Sequence, residues 1–219
     1  VSELALTDYN YSYAFSECNN LQKFVYRSSL ADDLRLGYYW LNATNLDTLI
    51  VPTEMLEVDD DWAVAEENAP SHIRYIEVID GELGSSSLQF IGLSAASLQT
   101  LNLAAASNTT LDDKAFYELY KLTNLSLPQN LQTIPYKMAA DCYMLENIVI
   151  PSSVTTIGNN AFENCRSLDS VDFGTTTALQ QIGNWLFYNC HNLPTLTISE
   201  GVTYVVDGAF YGCSYLTEL

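Results

Sequence analysis

Basic residues are what this chain has least of for its size. Eight Lys and Arg stand against 27 Asp and Glu in 219 residues, a formal net charge of −19. So lopsided a surface repels phosphate backbones and anionic lipid, which argues against nucleic-acid binding and against membrane docking by a basic patch. Histidine is nearly missing too, with only His72 and His191. Cys190 and His191 adjoin, but neighbouring side chains on a turn diverge, so adjacency makes no nucleophile–base pair. No G-x-S-x-G, Walker A or G-x-G-x-x-G motif is present. Carboxylates abound, yet a surface full of them is not a pair held across a cleft. These absences argue against an enzyme, and neither a catalytic residue nor a cofactor is assigned. The cysteines include no C-x₂-C pair, which argues against zinc. No apolar run approaches the ~18 residues of a spanning helix. The chain begins at Val1 with neither a start Met nor a signal peptide, as a mature or trimmed secreted chain would.

What is there is a repeat. "IGNNAFENCRSLDSVDF" around Cys165 returns as "IGNWLFYNCHNLPTLTI" around Cys190 and "VDGAFYGCSYLTEL" around Cys213. A leucine follows Cys142, Cys165, Cys190 and Cys213 at +3 each time, and it serves as a phase marker. Running the phase backwards gives nine markers: Leu21, Leu46, Ile73, Leu98, Leu122, Leu145, Leu168, Leu193 and Leu216. They are separated by 25, 27, 25, 24, 23, 23, 25 and 23 residues. A period in this range means stacked supersecondary units, none of which can bury its apolar face alone.

Each unit has a physical reading. Apolar residues stand at +3 and +5 from the marker, as in Ile148 and Ile150 or Leu101 and Leu103, alternating with polar ones like a strand with one buried face. Pro52, Pro128 and Pro151 end the pairing. A second apolar step follows in "NLQTIP", "SVTTIG", "ALQQIG" and "GVTYVV". Ile157, Ala161, Phe162, Cys165 and Leu168 then show the mixed 3 and 4 spacing of a short helical stripe. Nine strands at about 4.8 Å spacing predict a ladder of roughly 38 Å.

These residues resemble the BspA-like leucine-rich repeat family, whose repeat approximates C-x-x-L-x-x-I-x-I-P-x-x-V-x-x-I-G-x-x-A-F. Residues 142–173 match it almost position by position. The match is tight from about Leu111 onward and looser over 27–110, where Ala43, Pro70 and Ala95 take the cysteine position. The resemblance implies an α/β solenoid: a right-handed array of about nine 23–27-residue units with a parallel strand ladder and short helical turns. It implies one domain over 1–219, with an N-terminal repeat or cap at 1–26, degenerate repeats at 27–110 and regular ones at 111–219. It further implies a non-catalytic protein, secreted or on the cell surface, that adheres to other proteins or cells.

Four features carry two readings each. Cys18, Cys142, Cys165, Cys190 and Cys213 share one repeat position, filled elsewhere by Ala43, Ala95 and Leu119. That position asks for a small or medium apolar side chain, so buried free thiols are expected; stacked neighbours fall within disulfide range but point in parallel. Residues 53–82 hold ten carboxylates against Arg74 alone, and no Lys or Arg follows Arg166. That is a solvated acidic face or a surface for cations, although "EVDDDWAVAEE" lacks the ligand spacing of a calcium loop, and no metal ligand is assigned. "TDYNYSYAF" at 7–15 alternates Tyr9, Tyr11, Tyr13 and Phe15, either an end-capping strand or an aromatic platform for sugar or peptide. In "YYW", Trp40 takes the repeat's Phe position and reads as core, leaving Tyr38 and Tyr39 unassigned.

Positions +2 and +4 from the marker point out of the ladder, on what should be the concave side. They give the candidate ligand face: Tyr75, Glu77, Asn102, Asn124, Ser126, Asn147, Ser170, Asp172, Thr195 and Thr197, with Thr100 and Val149 among them. Short polar groups suit a broad contact with an extracellular protein or glycan. The same groups as mere solvent-facing fillers would make the chain a spacer rod. No nucleic-acid partner and no membrane insertion are expected. The last repeat, with Phe210 and Leu216 lacking a polar cap, is expected to continue or to make an end-to-end self-contact.

Overall fold

The computed structural model describes residues 18–27, 45–56, 72–174, 179–198 and 200–219. The aromatic run Tyr9–Phe15, the Tyr38–Trp40 cluster, Ala43 and the acidic segment 57–67 lie outside the described residues.

Seven short strands form one parallel sheet: β1 (Lys23–Val25), β2 (Thr48–Val51), β3 (Tyr75–Val78), β4 (Thr100–Asn102), β5 (Asn124–Ser126), β7 (Asn147–Val149) and β9 (Ser170–Asp172). The register follows the repeat phase. Phe24, Leu49, Ile76, Leu101, Leu125, Ile148 and Val171, all at +3 from a marker, lie side by side on successive strands. Thr195 and Glu218 continue it as an isolated parallel bridge. Proline follows β2 at Pro52, and Pro128 and Pro151 stand two residues beyond β5 and β7, where a residue without an N–H ends the ladder.

The second apolar steps become two-residue strands. β6 (Thr133–Ile134) pairs in parallel with β8 (Thr156–Ile157), and β10 (Gln181–Ile182) pairs with β11 (Tyr204–Val205). The +3 and +5 side chains and the markers then fill one continuous core between the strand side and the turns. Within it Phe162, Phe187 and Phe210 stack face to face, with centroids 5.7 and 5.8 Å apart and planes within 9°. Full burial of a ring, as at Phe162 and Phe187, stabilises by about 1.5–3 kcal/mol, while Phe210 is half-buried.

The expected short helical turns are not helices. Among the described residues the one α-helix is α1 (Ser85–Leu93), with a single 3₁₀ turn at Thr53–Leu56. The stretches 113–118, 136–141, 159–164 and 184–189 are hydrogen-bonded turns. Each places two residues in the left-handed region, four apart: Lys114 and Glu118, Lys137 and Asp141, Asn160 and Asn164, Trp185 and Asn189, followed by Gly208 and Gly212. A left-handed residue turns its peptide away from the helical i−4 partner, so the amides find partners on the next coil instead. Phe116 N–H donates to Met138 O, Ala139 N–H to Ala161 O, Phe162 N–H to Leu186 O, and Phe187 N–H to Ala209 O, at 2.7–3.1 Å. The 3-and-4 apolar spacing thus marks a buried turn, not a helix.

Candidate functional site

The outward face of the sheet carries the residues expected there, in two rows. Tyr75, Thr100, Asn124, Asn147 and Ser170 are in register along one row. Glu77, Asn102 and Ser126 form the second, and Val149 pairs with Asp172 farther along it. Asn124, Ser126, Asn147, Ser170, Asp172, Thr195 and Thr197 are exposed, while Tyr75, Glu77 and Asn102 are half-buried. Thr195 lies on the isolated bridge and Thr197 beyond it, so neither sits in a full strand. Three positions depart from the polar pattern: Ile50 is buried on this side, and Val25 beside it and Val149 are 43% and 58% exposed.

Local bonds already hold part of this face. Tyr75 Oη donates to Glu77 Oε2 at 2.8 Å. Burial raises the Tyr75 pKa, and the bond to the Glu77 carboxylate and its charge raise it further, so the phenol stays a donor. Asn102 Oδ1 accepts from the Ala104 amide at 3.2 Å, and Asp172 Oδ1 from the Gly174 amide at 2.6 Å. Four strand steps separate Tyr75 from Asp172, about 19 Å, so the two act on one extended partner or on none. Among the described residues no three acidic, histidine or cysteine side chains gather in a metal-holding group.

The cysteines form a row of their own. Cys142, Cys165 and Cys190 are buried, Cys213 is half-buried, Cys18 is exposed, and all five are free. Cys18, in the first repeat, therefore departs from the expected burial. Each of the other four thiols donates to a carbonyl one coil back: Cys142 Sγ to Phe116 O, Cys165 to Ala139 O, Cys190 to Phe162 O and Cys213 to Phe187 O, at 3.1–3.3 Å. Burial pushes the Cys142 thiol up to about 12 and Cys213 to about 11, and holds Cys165 and Cys190 well above the usual range. Such thiols are packing groups with a weak donor, not nucleophiles.

Sequence reasoning missed a groove beside the outward face. The residues just before and just after successive markers line a depression of about 550 Å³, among them His72, Arg74, Ser97, Gln99, Lys121 and Thr123. Neither position has apolar periodicity, so only the occurrence of basic residues in an acidic chain could have drawn attention to it.

The comparisons agree with this geometry. The model of the BspA type leucine rich repeat region matches six copies over residues 6–63 and 140–219, which takes in 27–63 of the stretch read above as degenerate and passes over 64–139, including 111–139 read as regular. No curated protein matches the chain. A leucine rich repeat protein of T. pallidum is 21% identical with a TM-score of 0.53, the match covering 90% of this chain and 78% of that one. A leucine-rich repeat protein from Bacteroides ovatus ATCC 8483 is also 21% identical, with a TM-score of 0.47 over 65% of this chain. This chain spans 41% of the length of that protein. At such identity the T. pallidum structure supports the fold alone, a parallel solenoid of leucine-rich repeats. With its repeat phase, its strand register and a family match over more than half its length, the chain belongs to the BspA type leucine rich repeat family.

Proposed function

We propose that the protein is a non-catalytic binding module, secreted or displayed on a cell surface, that engages an extracellular protein or glycan through the outward face of its strand ladder. The repeat family itself favours a binding or structural role over catalysis. The observation that carries the reading is the pair of in-register rows of short polar side chains, exposed at Asn124, Ser126, Asn147 and Ser170. Such groups lose little entropy when a partner orders them, which suits a broad contact better than a small-molecule pocket. The repeat phase, with the Thr195–Glu218 bridge in line, supports a count of nine units.

The spacer reading draws on the same face, where the small groups Ser170, Thr195 and Thr197 present little for a partner to hold. A glycan and extracellular-matrix array probed with the purified chain separates the two. Binding that falls in the Tyr75→Ala/Asp172→Ala double variant and survives Tyr136→Ala/Tyr211→Ala, both exposed on the turns, supports the strand face. The opposite pattern places the contact on the turn side, and no binding to any surface leaves the spacer.

A further inference from the structure

Beside that face the groove concentrates positive charge in a strongly acidic chain. Among its lining are residues one before and one after consecutive markers: His72, Ser97 and Lys121 before, Arg74, Gln99 and Thr123 after. Arg74 and Lys121 face one acid there, Asp47. Arg74 Nη2 holds Asp47 Oδ2 at 2.8 Å, leaving the rest of its fork open, and the Arg74 side chain is 57% exposed. That bond lowers the Asp47 pKa, so the carboxylate stays charged beside the guanidinium. Lys121 is exposed and makes no ion pair among the described residues. His72 and Gln99 are exposed as well.

We propose that this groove binds a glycan chain bearing carboxylates on alternate sugars, with Arg74 and Lys121 each taking one carboxylate. Arg74 precedes β3 and Lys121 lies just ahead of β5, two strand steps or about 10 Å apart along the solenoid. That matches the advance of two pyranose rings in an extended chain. Gln99 stands between them, its exposed amide able to serve sugar hydroxyls, while the Ser97 and Thr123 hydroxyls, which donate to Ile73 O and Gln99 O, can only accept. Met144, 42% exposed, gives the apolar surface that a ring's C–H face needs. An acidic peptide fits less well because an extended peptide seeks free backbone partners. Here the carbonyls of Gln22, Asp47, Arg74 and Gln99 each already accept two amides from the next coil. The groove is beside the outward face, not on it, so this site does not depend on the reading above.

The probe is a hyaluronan octasaccharide, which alternates uronate with N-acetylhexosamine, titrated calorimetrically at low and physiological salt. Its carboxyl-reduced counterpart and a tetraglutamate peptide are run in parallel. Expected are binding that weakens with salt, loss on carboxyl reduction, and about a tenfold loss in Lys121→Gln with recovery in Lys121→Arg. The melting temperature should hold, because Lys121 is exposed. Asn147→Ala/Asp172→Ala, on the outward face, should leave this binding unchanged. No binding of the octasaccharide, undiminished binding in Lys121→Gln/Arg74→Gln, or tighter binding of tetraglutamate overturns the proposal. Loss only in the Asn147/Asp172 variant moves the glycan to the strand face, which overturns this site and supports the other.

Discussion

The coil that contains α1 and the coils that follow it solve one problem in two ways. Every coil must satisfy backbone amides on the side opposite the sheet. In α1 they bond within the helix, and among the described residues no α1 amide reaches another coil. Beside the bond from Ser107 N–H to Gly81 O at 2.8 Å, side chains link that coil to the next: Ser85 Oγ donates to Asp112 Oδ2 at 2.8 Å, and the buried Asn108 accepts from Leu83 N–H at 2.9 Å while donating to Leu83 O at 3.0 Å. From Lys114 onward alternate turn amides bond coil to coil, and the side chains follow. Asn164 Nδ2 donates to Asp141 Oδ1 at 2.7 Å, and Asn189 Nδ2 to Asn164 Oδ1 at 3.0 Å. Lys137 and Glu163 pair across the same junction at 3.0 Å. The helix is locally self-sufficient, whereas a turn is complete only when its neighbour is present.

The sharpest way to break the turn side is to remove a ring from its stack. Phe187→Ala should destabilise by about 3–5 kcal/mol and reduce hydrogen-exchange protection in the coils of both Phe162 and Phe210. Loss confined to its own coil would mean that the turns are as independent as α1. Next comes Gly158, where an added Cβ would lie 2.6 Å from the Tyr136 nitrogen and 2.7 Å from the Pro135 carbonyl carbon. Backbone cannot swing away as a side chain can, so Gly158→Ala should cost about 1–3 kcal/mol in denaturant unfolding.

The third effect is a thiol-linked pH dependence of the turn coils, which the coil of α1 lacks because Ala95 replaces cysteine there. Burial raises the folded-state thiol pKa values, to about 12 at Cys142 and about 11 at Cys213. A raised pKa means that the full stability is present below the unfolded thiol pKa, about 8.5, and is lost as pH rises from there through the folded values. Cys165→Ala should therefore flatten the fall in stability between about pH 9 and 11, by up to about 1.4 kcal/mol per pH unit. An unchanged slope would show that Cys165 ionises equally in both states. Smallest is the gain expected in the helix: nothing lies within 4 Å of a Cβ at Gly92, so Gly92→Ala should stabilise by about 0.5–1 kcal/mol. The same Gly-to-Ala change thus has opposite signs in the two regions.

The strand side was legible because its rule is local. Alternation from each marker placed Leu101, Leu125 and Ile148 inward, and all three are buried on adjacent strands. The turn side was misread because its hydrogen-bond partners lie one coil away, where periodicity within a coil cannot see them. A signal was present in the residue before the cysteine: Asp141, Asn164, Asn189 and Gly212 belong to the types that tolerate positive φ, and all four adopt it. Helix α1 was not anticipated, because its "SSSLQFIGL" falls in the stretch 27–110, where the repeat is degenerate and no element was assigned to it. The expected face was found where alternation put it, but the groove depends on positions −1 and +1, which follow no apolar period.

The coil-to-coil amides of the turns also have an electrical consequence. At all four junctions from 114 to 211 the N–H belongs to the earlier coil and the carbonyl to the later one. On the strand side the direction is mixed, since Tyr75 N–H reaches back to Asp47 O while Leu103 N–H reaches forward to Ser126 O. The turn dipoles therefore add along the solenoid axis, as peptide dipoles do along a helix, and the strand dipoles largely cancel. The solenoid becomes a rod with unlike poles, partial positive charge gathering toward the higher-numbered coils. Beyond Arg166, where no Lys or Arg remains, that pole is set among Asp207, Glu200 and Glu218.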